Sequence, residues 1–330
     1  MLARVYIKLP YSITVPKEIK FPFPDYSNRD YRIRIYPPKT DIRSPQLYEE
    51  ISVDGVPAIQ ADILHMDFYK DDFDRSTKSS CDPPAELINN MANSFLMRLR
   101  YVTRSTLIRP IDFPKITWNI LYLNDDGSEL EETPGLLRTR FAREFQFSWV
   151  ALNPQIWKDV HTLPYNFITP RWDSLILDAF AAKPDVGLSI VLASTALEVF
   201  ISHVLNELAK TSTIPPEVWD WINKRDWWVK EPAVREQFDI LLKAVGGFSL
   251  KDDPKLWEAF KNLRDAKNSF VHEGEAIIGK KPVSKELATE MVAKASQIIA
   301  YIKEKLPEEL RWPEFKHKVN VETKFKLFGD

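Results

Sequence analysis

The chain has 330 residues with 45 Lys and Arg against 47 Asp and Glu, a formal charge of −2, 44% hydrophobic residues, 24 prolines, nine glycines and one cysteine. At about 100–200 residues per domain, this length predicts two domains, each able to bury its own core. The near-neutral balance excludes a general attraction to nucleic acid, so any such binding depends on a local basic site. The lone Cys81 excludes an internal disulfide, and the five scattered histidines form no zinc-spaced cluster, so neither a metal nor another cofactor is expected.

The first sixteen residues are broken by Pro10 and Pro16 before an apolar signal core could form. No apolar run reaches about 18 residues without polar interruption. The expectation is a cytoplasmic chain with no membrane segment.

Residues 1–153 read as an α+β domain, mainly β with one helix. Val5, Ile7 and Leu9 alternate with Tyr6 and Lys8, Ile33 and Ile35 with arginines, and Phe145, Phe147 and Trp149 with Gln146 and Ser148. Asp54-Gly55 and the Asn124–Gly127 stretch read as hairpin turns. Asp82 and Pro83 open a helix whose apolar face is Ile88, Met91, Phe95, Leu99 and Val102. Prolines at 10, 16, 22, 24, 37, 38 and 45 predict short or edge strands in the first third, because proline donates nothing to a ladder. His65 and Asp67 share a strand face but are too few for a metal site.

Residues 154–184, with four prolines, read as the junction between domains. From 185 to 307 the period is helical, predicting an all-α bundle. Asp185 to Lys210 is apolar almost all round, through residues such as Leu188, Ile190, Leu197 and Phe200, and is predicted to be central. Glu198 lies inside it, with Ser194 and Ser202 one turn to either side. A second helix, Glu231 to Val245, stops at Gly246-Gly247; a last one starts at Ser284, carries Leu287, Met291, Ile298 and Ile302, and ends at Pro307. With the helix described next, this gives four helices with short connections.

In the tail, 308–330, Val319, Val321, Thr323, Phe325 and Leu327 alternate as a strand would, one that returns to the N-terminal sheet. The tryptophans at 219, 221, 227 and 228, with Lys224, Arg225 and Lys230 among them, read as a loop packing on its own domain rather than a base-stacking cluster. Gly274–Lys281 fits GxxxxGK but has Lys281 where the magnesium-holding hydroxyl belongs and follows a helix, which argues against a phosphate loop.

The third helix of the bundle concentrates the chemistry. Asp253 caps it, Pro254 fits its first position and Gly274 stops it. Leu256, Phe260, Leu263, Phe270 and Val271 form its apolar stripe, and Lys267 falls in the middle, where a lysine must find a partner or snorkel out. Glu198 is the candidate partner. Arg264, Asn268 and His272 follow at i, i+4 and i+8, on one flank.

Lys267 to Gly274, KNSFVHEG, preceded by NLRDA and by the upstream helix with TALEVFISHVL, resembles the HEPN superfamily of helical domains, over roughly 185–306. Those domains carry an Arg-Asn-x-x-x-His motif, or Arg followed by four to six residues and His. Asn268 and His272 match the second and last positions. The arginine position holds Lys267; Arg264 is the alternative, at a longer spacing but on the same flank.

The resemblance implies metal-independent RNA cleavage in a homodimer whose motif-bearing helices face each other across a cleft, in settings such as toxins or antiphage defence. RNA supplies its own nucleophile, the ribose hydroxyl, so the protein needs a proton carrier and a charge stabiliser. His272 fits the first role, since histidine as a type titrates near neutrality. Asn268 fits as orienter, and Lys267 or Arg264 as the cation beside phosphorus, with Glu198 in support. Other members of the superfamily are non-catalytic dimerisation or RNA- and ligand-binding modules, and lysine lacks arginine's planar fork. For such a module the N-terminal domain would be the recognition element. A branch with a tyrosine just after the histidine is disfavoured by Glu273 and Gly274.

Overall fold

The computed structural model describes residues 2–28, 30–40, 48–70, 83–111, 118–123, 150–183, 185–223 and 232–325; the N-terminal part is built on an antiparallel sheet and the rest is mainly helical. The chain divides into one unit of Met1–Ile168 with Glu314–Asp330 and a second of Thr169–Pro313. Of the sequence expectations, the Asn124–Gly127 turn, the 145–149 strand, Cys81, Asp82, Trp227 and Trp228 lie outside the described residues.

In the first unit, β1 (Leu2–Pro16), β2 (Asp25–Asn28), β3 (Tyr31–Lys39), β4 (Tyr48–Val53), β5 (Val56–Tyr69) and β6 (Trp118–Leu123) form a sheet in the order β2-β3-β5-β1-β6, with β4 pairing β5. The predicted tail strand is β9 (Val321–Phe325), which pairs antiparallel with β4. The β4–β5 hairpin turns at Asp54 (φ 51°) and Gly55 (φ 79°), both in the left-handed region a tight hairpin requires.

Alternation buries one face. Val5 and Ile7 of β1, Ile33 and Ile35 of β3, and Leu64 and Met66 of β5 share a core with Phe95 of α1 (Ala85–Thr103) and Trp157 of α2 (Pro154–Thr162). Each such side chain removed from water stabilises by about 1.5–3 kcal/mol.

The prolines do not shorten β1 as expected, for it is 15 residues long and lies between β5 and β6. Pro10 falls where the β1–β5 register shifts, between Lys8 and Ile13, and Pro37 and Pro38 fall in the β3–β5 shift between Tyr36 and Lys39. Their missing N–H groups therefore sit in bulges. The helix α1 starts later than expected, after Pro84, which gives no side-chain cap.

The stretch 154–184 is not a bare linker. It holds α2, which joins the sheet core, and α3 (Arg171–Ala181), which belongs to the helical unit. Asn153 caps α2 by accepting from Ile156 N at 2.8 Å. The fully buried Arg98 of α1 holds α2's other end, donating to Val160 O at 3.2 Å, Leu163 O at 3.1 Å and the Tyr26 hydroxyl at 3.0 Å. A cation at helix-terminal carbonyls also meets the negative end of the helix dipole.

In the second unit, α4 (Val186–Thr211) packs against α3, α8 (Pro254–Glu273) and α9 (Lys285–Lys305). Asp185 caps α4 through Leu188 N at 2.9 Å, and Ser189 Oγ donates to Ala179 O at 2.8 Å, fixing the α3–α4 corner. α5 (Pro216–Asn223) follows; then α6 (Val234–Glu236) and α7 (Leu242–Gly246) are joined by a π-helical turn and stopped at left-handed Gly247.

Ile190, Leu197 and Phe200 of α4 are fully buried, yet Leu188 is exposed and Val191, Leu192 and Val199 are only partly covered, so α4 is enclosed on most sides rather than all. Leu287 and Val271, placed on apolar faces by their spacing, are exposed too; Ala288, next to Leu287, is buried, and α8 buries Leu256, Phe260, Leu263 and Ala266. Among the described residues α4 alone is long and apolar enough to cross a membrane, and 56% of its most apolar window is buried inside the protein.

Candidate functional site

The site is organised by the two ends of α8. Asp253 Oδ1 accepts from Lys255 N and Leu256 N, both at 3.0 Å, and Pro254 occupies the first turn, where no N–H is needed. Gly274 ends the helix at φ 78° and returns its N–H to Phe270 O at 2.9 Å. Leu256, Phe260, Leu263 and Ala266 anchor the helix in the core. Ser269 Oγ donates to Glu275 O at 2.7 Å, tying α8 to the hairpin of β7 (Ile277–Ile278) and β8 (Lys281–Pro282). The GxxxxGK look-alike is thus a helix end and a hairpin.

Phe270 is seated on Gly187 in the first turn of α4: a Cβ built there would lie 2.0 Å from the ring. Only glycine lets the ring in, and this contact sets the end of α8 against the start of α4.

Lys267 Nζ meets Glu198 Oε1 of α4 at 3.1 Å, with the side chains 26% and 33% exposed. Ser194 Oγ donates to the same oxygen at 3.3 Å. The lysine in the apolar stripe thus finds the carboxylate that the sequence offered, and its charge is balanced there. Arg264 is not brought to that group. Its Nη2 and Nε reach Asp265 Oδ1 at 2.9 and 3.2 Å, so its guanidinium is held by its own neighbour.

Asn268 and His272 are exposed, and among the described residues neither side chain has a hydrogen-bond or ionic partner. They stand one turn apart, about 6 Å along the axis. Ser269 and the Gly187–Phe270 seat were not singled out in the sequence, whereas Ser194 was, by its place one turn before Glu198. A glycine inside an otherwise apolar helix was the available signal for the seat.

Elsewhere, His203 packs against both Trp172 and Trp312, 5.1 Å from each ring, and the two indoles touch each other at 4.7 Å. Trp219 is buried and donates to Asn206 Oδ1 at 3.1 Å, while Trp221 is exposed. Asp67 is committed to Arg4 and Tyr36, at 2.6 and 2.7 Å. Among the described residues no cluster of three or more His, Cys, Asp and Glu could hold a metal ion. No protein-family model, curated protein or solved structure matches this chain.

The arrangement can do two things chemically. An exposed imidazole and an exposed amide on one flank can engage a polar ligand. A neutralised Lys267–Glu198 pair fixes the helix beneath them.

Proposed function

We propose that the helical unit is a HEPN-like module that cleaves RNA without a metal, at a cleft between two copies of the chain. The observation that carries this is Asn268 and His272, exposed and unengaged one turn apart, at the end of a helix held by Gly274 and the Phe270–Gly187 seat. His272 moves the proton of the attacking ribose hydroxyl, Asn268 orients the imidazole or the phosphate, and a cation offsets charge growing on phosphorus.

Leu188 and Val271, 45% and 58% exposed, are the chain neighbours of Gly187 and Phe270 and give an apolar surface beside the motif for the second copy. Action as a toxin or in antiphage defence, in the cytoplasm, is the biological setting this chemistry fits.

Incubating the full chain with mixed RNA in EDTA tests the reading. Cleavage by wild type that is lost in His272→Ala is expected; equal cleavage in both, or none in either, refutes it. A monomer by light scattering at micromolar concentration refutes the intermolecular cleft.

A second reading, an inactive dimerisation or RNA- and ligand-binding module, is favoured by one observation: Lys267, in the arginine position of the motif, spends its charge on Glu198. Glu198→Gln frees the ammonium. The nuclease reading expects cleavage in this variant at least equal to wild type, and the binding-module reading expects none in either protein.

A further inference from the structure

The two cations nearest Asn268 and His272 on α8 are already engaged. Lys267 is held by Glu198 and Arg264 by Asp265. A phosphate beside the imidazole still needs positive charge to offset what grows on phosphorus. The β7–β8 hairpin follows α8 directly and carries the next cations along the chain, Lys280 and Lys281.

This hairpin is short and firmly rooted. Ala276 and Val283 are buried at its base, and Val283 N donates to Ala276 O at 2.9 Å. Ser269 Oγ ties the base to α8 through Glu275 O, and on the other side Ser284 caps α9 by accepting from Leu287 N at 3.2 Å. Ile278 packs on the core of the helical unit, so β7 lies back against α8 rather than pointing away from it.

The tip is built differently. Ile278 pairs with Lys281 across a two-residue turn, with Gly279 at φ 54° and Lys280 at φ 70°. A turn of this kind favours glycine, asparagine or aspartate, and a lysine in the left-handed region is strained. Strained residues of this sort concentrate at binding sites and switches. Lys280 and Lys281 are exposed, and among the described residues neither has a carboxylate or a ring against it. Exposed carboxylates sit at the root instead, Glu273 on the last turn of α8 and Glu275 just past Gly274. The hairpin is therefore polarised, with cations at the tip and carboxylates at the base.

Its place follows from the helix. At about 100° per residue, the order round α8 is Val271, Asn268, His272, Ser269, with Ser269 about 60° beyond His272. Asn268 and His272 thus form a strip bounded by Val271 on one side and by the hairpin, bound at Ser269, on the other.

We propose that the β7–β8 hairpin is the arm that grips the RNA backbone, Lys280 and Lys281 pairing with phosphates of a strand laid along the Asn268–His272 strip. They make up the charge that Lys267 and Arg264 do not supply. Lysine suits the task, because a point charge on a flexible stem meets phosphate without demanding one geometry. That the strand is RNA and is cut at His272 rests on the nuclease reading, whereas the grip of the hairpin tip on phosphates does not.

The test is fluorescence anisotropy of a short labelled oligouridine RNA with the full chain carrying His272→Ala, in EDTA, beside single-turnover cleavage by the chain with His272 intact. Saturable binding is expected. Lys280→Gln with Lys281→Gln weakens it about tenfold and flattens the dependence of log K on log salt by about 1.4, two phosphates at about 0.7 each. Lys280→Gly removes one charge together with the backbone strain, so it weakens binding about threefold in a protein at least as heat-stable as its parent. Lys255→Gln loses one charge at the start of α8, about 27 Å along the axis from Glu273, and changes binding less than roughly twofold, since exposed charges beyond about 10 Å are screened.

No saturable binding, a salt slope unmoved by the double change, equal weakening by Lys255→Gln and Lys280→Gly, or equal competition by polyglutamate overturns the proposal. Lysine-dependent binding by a chain that cuts no RNA with His272 intact sinks the nuclease reading and leaves the arm standing. Cleavage that needs His272 but keeps its rate and its RNA-concentration dependence in the double variant sinks the arm and leaves the nuclease reading standing.

Discussion

Gly187→Ala strikes the contact that positions the candidate site. The added Cβ would lie 2.0 Å from Phe270 Cε2 and 2.2 Å from Cζ, where carbon atoms normally settle at about 3.5–4.0 Å. The ring must leave its seat or the start of α4 must move off the end of α8. Overpacking of this kind costs about 1–3 kcal/mol. Alanine in place of glycine in a helix returns at most about 1 kcal/mol, so the expected net loss is about 1–2 kcal/mol. At about 2–4 °C per kcal/mol, the helical transition falls by roughly 2–8 °C.

Phe270→Ala alone removes a partly buried ring and costs about 1–3 kcal/mol, less than the 3–5 kcal/mol typical of full burial. The deciding quantity is the coupling. With the ring gone the Cβ at 187 has room, so the double variant is less destabilised than the sum of the singles by about 1–2 kcal/mol. Urea denaturation of the four full-length proteins, followed by circular dichroism at 222 nm, gives the cycle. Additive losses, or a stabilised Gly187→Ala, would show that the ring does not depend on glycine.

The Glu198–Lys267 pair is partly exposed, so exchanging its charges by Glu198→Lys with Lys267→Glu recovers only about 0.5–1 kcal/mol relative to the single reversals, and 0.5 M salt reduces the gain; no recovery at low salt refutes the pairing. Arg98→Leu leaves two carbonyls and the Tyr26 hydroxyl without their buried donor and costs about 2–4 kcal/mol; a variant as stable as wild type shows that Arg98 does not hold α2. His161, through burial and then the charge of Arg98, and His65, through burial and then Lys39 and Arg4, have pKa values lowered to about 3. Their folded values lie below the unfolded one, so this contribution is complete above about pH 6.5 and is lost as pH falls toward 3. From pH 7 to 5 each histidine costs up to about 2 kcal/mol. Urea midpoints equal at the two pH values contradict it.

Much of the helical unit was legible because its signals are local. Asp185, Asp253 and Ser284 cap helices through their own side chains, and Gly247 and Gly274 end helices in left-handed conformations. Even the Glu198–Lys267 contact could be read, since a lysine in an apolar stripe demands a carboxylate and the neighbouring helix offered one. What the sequence hid depends on the partner rather than the element. Prolines pointed to edge strands because bulges that absorb them form only against a neighbouring strand, and the helices within 154–184 were masked by the prolines that begin them. Leu188 and Val271 fit apolar stripes at helical spacing, but whether a stripe's edge is covered depends on a packing angle that spacing does not carry.

The outer face of the sheet is the extreme case. Tyr6, Tyr36 and His65 lie on three strands, each of which alone reads as an ordinary polar alternation. Only the register of β1 and β3 on β5 brings them into one row between cations. A one-residue slip of any strand would turn its ring into the core and its apolar neighbours outward. The burial of Val5, Ile35 and Leu64, which prevents that slip, is therefore also what assembles the aromatic row.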